Sequence, residues 1–239
     1  MSSAKSWRAE AVFFFVTAQA FCYFLGAIAI TLLNKAHVTG FKDLDQGFGP
    51  ILVGTLCFQG ATWILIPIFF GLQGIRVWDG LGLTAKTLVM APLWAIGANI
   101  LLLPAAGALE KASEWLMAKA HLKPHTEEAI SLLTGATSHT EAIYLGIFAI
   151  VIAPVAEEFI FRGVLYTFIK QNGFPKTALI SVSLLFALIH GDVAIFIPLF
   201  MLALVLTWLY EWTGSLAAPI CTHALFNATN LILLNYATQ

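Results

Sequence analysis

Seven apolar runs, near 11–33, 50–72, 88–109, 142–170, 177–195, 197–213 and 216–236, occupy most of this 239-residue sequence. A helix of about 20 residues, rising 1.5 Å per residue, crosses the roughly 30 Å hydrocarbon core of a bilayer. Lipid satisfies no backbone N–H or C=O group, so a chain of such runs folds into helices that bond internally. The expected fold is therefore all-α, a polytopic transmembrane bundle of about seven spans, with six to eight as the range. Composition agrees, because 59% of the residues are hydrophobic, 10% are charged and the mean hydropathy is +0.86. Soluble domains are nearer 45–50% apolar and about 25% charged.

The runs organise the chain into three regions: N-terminal transmembrane helices over 1–109, a charged segment over 110–141 and a transmembrane core over 142–239. Lys5 and Arg8 precede the first run. That run is longer than a signal-peptide core, so it reads as an uncleaved span. Gly191-Asp192 and Thr213-Gly214-Ser215 supply turn chemistry between the last three runs. In 110–122, Glu110, Lys111, Glu114 and Lys119 alternate with Trp115, Leu116 and Leu122, a pattern suited to an amphipathic helix along the interface. Lys123-Pro124 would end it, Thr126-Glu127-Glu128 could start a second short helix, and Glu127-Glu128 reads as a solvated face. A net charge of −1 with no basic stripe excludes a nucleic-acid partner and leaves the lipid bilayer as the expected one. Lysine and arginine divide almost evenly between the two sides, so orientation stays open. Cys22, Cys57 and Cys221 lack metal-ligand spacing and read as small core residues.

Between Ile143 and Ile169 the only charged residues are Glu157, Glu158 and Arg162. Each charge at the centre of a bilayer costs about 2.5–3.5 kcal/mol on insertion scales, so a cluster there points to function. Glu158 and Arg162 are four apart, share a helix face and are expected to pair. Glu157 points elsewhere, about 100° round the axis, and stays free to take a proton. Pro154 just upstream is expected to kink the helix and put the glutamates in the first turn after the kink. Measured from the polar turn at 171–176, Glu157 and His190 come level at roughly 20 Å, with His223 and Asn227 at about 10–17 Å. Three helices would then bring polar groups into one slab of the membrane, reached by water through a cavity. The alternative is an ion pair that only locks helix packing.

The pattern Glu157-Glu158-x-x-x-Arg162, then Phe186-x-x-x-His190, then His223-x-x-x-Asn227 resembles the CAAX-protease and bacteriocin-processing (CPBP, or Abi) family of intramembrane endopeptidases. Ala153-Pro154 and Arg162-Gly163-Val164-Leu165-Tyr166 are also similar, and the likeness covers about 142–236. It implies an endopeptidase in which Glu157 and His190 activate a water for attack on a peptide carbonyl. His223 and Asn227 would donate to the oxyanion, Glu158 and Arg162 would support Glu157, and Phe186 would shape the wall beside His190. The family is often described as metalloproteases, so zinc held by Glu157, His190 and His223 is an alternative. The expectation here is that no cofactor is required, because no His-Glu-x-x-His helix is present and an asparagine suits an oxyanion hole better than a ligand set. Implied substrates are a prenylated protein C-terminus, a bacteriocin-like peptide or a membrane protein, and the implied location is the cell (inner) membrane. Rival readings are a non-proteolytic membrane scaffold and a proton-coupled transporter. A relay would continue toward both faces, yet the first three runs hold no acidic or basic side chain and no inverted repeat is evident.

Overall fold

The computed structural model describes residues 6–38, 48–121 and 139–237. Among these residues the chain is helical without strands. The helices are α1 (Ala9–Lys35), α2 (Gly49–Gln73), the single turn α3 (Val77–Gly80), α4 (Ala85–Lys119), α5 (Ala142–Gln171), α6 (Pro175–Leu188), α7 (Val193–Thr213) and α8 (Ala217–Ala237). Five of them, α1, α2, α4, α5 and α7, are long and apolar enough to cross a membrane. The all-α polytopic bundle expected from the sequence is what forms, and the protein is an integral, multi-pass membrane protein.

Two of the seven expected spans differ in a way that matters. The run at 177–195 yields only the 14-residue helix α6, which stops at Leu188. Gly191 then turns with φ +70, and Asp192 caps α7 by accepting from the Ala194 N–H at 2.8 Å. Fourteen residues rise only about 21 Å, so α6 ends at membrane depth. Non-helical backbone at that depth is tolerated where it is buried in protein or lines a polar cavity. The last run gives α8, 21 residues long, which carries His223 and Asn227 and is not among the five strongly apolar helices.

The described part of the segment expected after residue 109 to lie along the interface is continuous with the third span. α4 continues unbroken to Lys119, so Glu110, Lys111 and Glu114 extend the third span. Nothing at 109–111 stops a helix, because Ala108, Leu109, Glu110, Lys111 and Ala112 are all good helix formers. At 35 residues the helix is about 52 Å long and outruns the hydrocarbon core by roughly 20 Å. The proposed helix start at Thr126 and the pair Glu127-Glu128 lie outside the described residues.

α1, α2 and α5 meet around a cluster of aromatic rings. Phe15, Phe69, Phe70 and Phe159 pack edge to face at 5.4–5.8 Å, and Trp7 closes the cluster from the N-terminal side. Such edge-to-face pairs add about 0.5–1.5 kcal/mol each beyond area burial. On the other flank α4 packs along both α7 and α8. The turn before α8 is pinned to the loop after α3, since the Leu216 N–H donates to the Leu81 carbonyl at 3.0 Å.

Gly82 makes that closure possible. It adopts φ +68, and a Cβ there would sit 2.2 Å from the Gly214 carbonyl oxygen. Gly82→Ala is expected to lower the melting temperature of the detergent-solubilised protein, because left-handed backbone alone costs an L-residue roughly 1–2 kcal/mol. Thermal unfolding followed by circular dichroism is the check.

Candidate active site

The site is built on α5, whose helix is unbroken but widened twice. Turns of π geometry run over Phe148–Ile152 and Phe159–Tyr166, on either side of the glutamates. The first of these ends just before Pro154, where the sequence leads one to expect a kink. The Ala153 N–H reaches back five residues to the Phe148 carbonyl. The next donor in that register would be Pro154, which has no N–H, so the Ala149 carbonyl is left for another group. Asn227 takes it, donating from Nδ2 at 2.9 Å. The second widened turn is served in the same way. Trp7 Nε1 donates to the Gly163 carbonyl at 2.7 Å, and Thr167 Oγ1 donates to the Arg162 carbonyl at 2.8 Å.

Glu158 and Arg162 form the buried centre. Both side chains are 0% exposed, and Nη1 donates to Glu158 Oε1 at 2.8 Å. Arg162 also donates from Nη2 to the Ala203 carbonyl at 3.0 Å and from Nε to Thr207 Oγ1 at 3.3 Å. Its guanidinium carbon lies 4.8 Å from the centre of the Phe186 ring. α7 therefore solvates a cation that water cannot reach. The expected i, i+4 pair is present, and Thr207 and Ala203 are partners that sequence spacing did not reveal.

His223 on α8 completes a chain of polar groups. Its Nδ1 lies 2.9 Å from Glu158 Oε1, and its Nε2 lies 3.9 Å from Glu157 Oε2. Glu158 Oε1 already accepts from Arg162 Nη1, so it is the acceptor and Nδ1 the donor in the first contact. Nε2 then faces the second glutamate. Asn99 on α4 braces this part of α8 by donating to the Thr222 carbonyl at 3.0 Å. Its only sequence signal was an isolated amide in an apolar run.

Glu157 has no comparable lock. Its side chain is 13% exposed, against 0% for Glu158, and it lines a cavity of about 700 Å³ together with His190. The imidazole of His190 sits just past the end of α6, where Nδ1 is 2.7 Å from the Phe186 carbonyl. A carbonyl only accepts, so Nδ1 carries the proton and Nε2 is left with its lone pair. The Phe186 ring lies 4.9 Å from the His190 ring and 5.7 Å from the His223 ring, so it separates and orients the two imidazoles.

The sequence-predicted set is thus brought together in part. Glu157, Glu158, Arg162 and His223 form one connected group, and His190 shares the cavity with Glu157. Asn227 is turned instead to the Ala149 carbonyl. Among the described residues no three His, Cys, Asp or Glu side chains are arranged to hold a metal ion. Glu157, His190 and His223 are not gathered as such a group here. The far wall of the cavity was not anticipated. It comes from α1 and α2 through Phe15, Gln19, Tyr23, Phe24, Phe58 and Gln59.

Residues 139–229 match the family described as type II CAAX prenyl endopeptidase, Rce1-like. That stretch contains all the motif residues from Glu157 to Asn227. The match covers 91 of the 239 residues and agrees with the CAAX-protease (CPBP) motif that the sequence resembles. The chain is also similar to the membrane-embedded CAAX protease MroQ of Staphylococcus aureus (strain USA300), 39% identical over 98 residues. The match covers 37% of this chain and 39% of that protein, so it spans well under half of the relative's length. No solved structure matches. The matched segment supplies α5, α6, α7 and most of α8, whereas the α1–α2 wall of the cavity lies outside it.

Arg162→Met should expose how much the buried pair matters. Removing one partner of a buried ion pair typically costs about 3–5 kcal/mol, because the other charge is left uncompensated. The expected outcome is a large fall in the melting temperature of the purified protein, measured in detergent.

Proposed function

We propose that this protein is an intramembrane endopeptidase of the CAAX-protease type, located in the cell membrane. The observation that carries the reading is that Glu157 and His190 line one cavity, while the neighbouring glutamate is consumed by Arg162 and His223. The family match and the likeness to MroQ support the same activity.

The chemistry follows from which lone pairs are free. A water in the cavity is oriented by His190 Nε2 and gives a proton to the Glu157 carboxylate as its oxygen attacks the peptide carbonyl carbon. General-base assistance of this kind is worth about 10²–10⁴ in rate. The carbonyl π electrons move to oxygen and form a tetrahedral oxyanion. His223, anchored on Glu158 through Nδ1, is the hydrogen-bond donor offered to that oxyanion. On collapse the C–N bond breaks, and the proton held by Glu157 passes to the departing amine. Asn227 serves this site through the Ala149 carbonyl, keeping the widened turn that presents Glu157. The substrate is a peptide or membrane protein, with a prenylated C-terminus or a bacteriocin-like peptide as the candidate classes. No step requires a metal.

Purified wild-type protein is expected to cleave members of a quenched-fluorescence peptide library, and Glu157→Ala and His190→Ala to lose that cleavage while retaining their fold. Equal cleavage by all three would remove this site from the chemistry. Activity is also expected to survive a chelator such as EDTA. Loss of cleavage on chelation, restored by zinc, would show that the ligands rearrange around a metal.

A further inference from the structure

The α1–α2 wall carries two glutamines, and they differ in what they do. Gln19 is buried and fully engaged, since Nε2 donates to the Phe58 carbonyl at 2.8 Å and Oε1 accepts from Thr62 Oγ1 at 3.2 Å. Thr62 Oγ1 also reaches the Phe58 carbonyl, at 2.9 Å. These bonds hold the π turn at Leu56–Gly60, the one widened turn in α2. Gln59 sits in that turn, lines the same cavity as Glu157 and His190, and has no hydrogen-bond partner among the described residues.

Depth places Gln59 opposite the reacting groups. α2 and α5 end side by side, because the Arg8 N–H donates to Gln73 Oε1 and the adjacent Trp7 N–H donates to Gln171 Oε1. Gln59 lies 14 residues before Gln73 (73 − 59), and Glu157 lies 14 before Gln171 (171 − 157). At 1.5 Å per residue both are roughly 21 Å from those ends, level across the cavity. A glutamine side chain spans only a few ångströms, so the Gln59 amide cannot reach the interface. An amide left without partners in an apolar medium costs on the order of 1–3 kcal/mol on mutational scales. Such a group is retained at mid-membrane where something polar comes to it.

We infer that Gln59 is a substrate-positioning residue that binds the backbone of an extended peptide in the cavity, opposite Glu157 and His190. Its carboxamide presents one N–H donor and one C=O acceptor in a plane, the complement of the N–H and C=O of a single peptide residue. Pairing of that kind ignores side-chain identity and fixes the register, so it sets which bond faces Glu157. Phe15, Val16, Ala20 and Phe24 offer no directional contact and Gln19 is engaged, so on this wall the polar groups left to a substrate come from Gln59 and Tyr23. The inference rests on the endopeptidase reading. It adds to the site a residue from outside the stretch 139–229 that matches the family.

The test uses the full-length protein in detergent and a quenched peptide that the wild type cleaves. Gln59→Leu removes both hydrogen bonds while remaining at home in an apolar span. It is expected to raise KM roughly tenfold and leave kcat within about twofold, the loss expected of one or two backbone hydrogen bonds. A scan of N-methylated peptides gives the signature that a structural role would not produce. One methylated position away from the scissile bond should raise KM for the wild type and be neutral for Gln59→Leu. Unchanged KM in Gln59→Leu, or the same methyl sensitivity in both proteins, would overturn the inference alone. A wild-type scan with no sensitive position outside the scissile bond would overturn it whether or not the variant folds. Absence of wild-type cleavage of any peptide would instead overturn the endopeptidase reading, and this inference with it.

Discussion

A guanidinium buried at mid-membrane with no exposed surface is the constraint that organises this molecule. An isolated charge there would be prohibitive, so Arg162 must collect its partners from wherever the fold can supply them. It takes a carboxylate from its own helix, a carbonyl and a hydroxyl from α7 and the face of Phe186 from α6. Glu158 in turn draws in His223 from α8. One cation thus fixes the relative positions of four helices, and the catalytic candidates are carried on them. The ion pair contributes less as net stability than as a specification of geometry, because the desolvation of both charges offsets most of their attraction.

The second device is the widened helical turn. Each π turn frees a carbonyl, and lipid offers no water to satisfy it. Here the carbonyls of Phe58, Ala149 and Gly163 are taken by Gln19 (with Thr62), Asn227 and Trp7 respectively. The polar side chains that look scattered in the sequence are therefore the price of irregular backbone around one cavity. π turns inside helices concentrate at functional sites because they re-aim side chains without breaking the helix. In α5 they flank Glu157 and Glu158, and in α2 the turn contains Gln59.

Much of this was legible in the sequence, for identifiable reasons. Apolar runs dictate helices, and an i, i+4 charge pair dictates a shared face, so the bundle and the Glu158–Arg162 bond could be anticipated. The 100° offset of adjacent residues already turns the two glutamate side chains in different directions. What the sequence concealed depends on backbone geometry or on pairing between distant helices. The Gly191-Asp192 break marks the turn, but Ile189 and Val193 on either side of it carry the apolar run past Leu188, where α6 stops. Asn227 shares a helix face with His223, yet the vacancy left by Pro154 in a π register decides where its amide goes. The α1–α2 wall was overlooked because it is uncharged. Its signal was two amides, Gln19 and Gln59, in otherwise apolar helices.

The central claim is a division of labour between adjacent carboxylates, Glu158 holding the structure and Glu157 left to the cavity. Thermal unfolding of Glu157→Gln beside Glu158→Gln in the same detergent tests it most directly. The account predicts that Glu157→Gln melts close to the wild type, within about 0.5 kcal/mol, as for a residue outside the packing network. Glu158→Gln should melt far lower, since a buried charge that loses its partner typically costs about 3–5 kcal/mol. Equal losses, or a larger loss at Glu157, would contradict it.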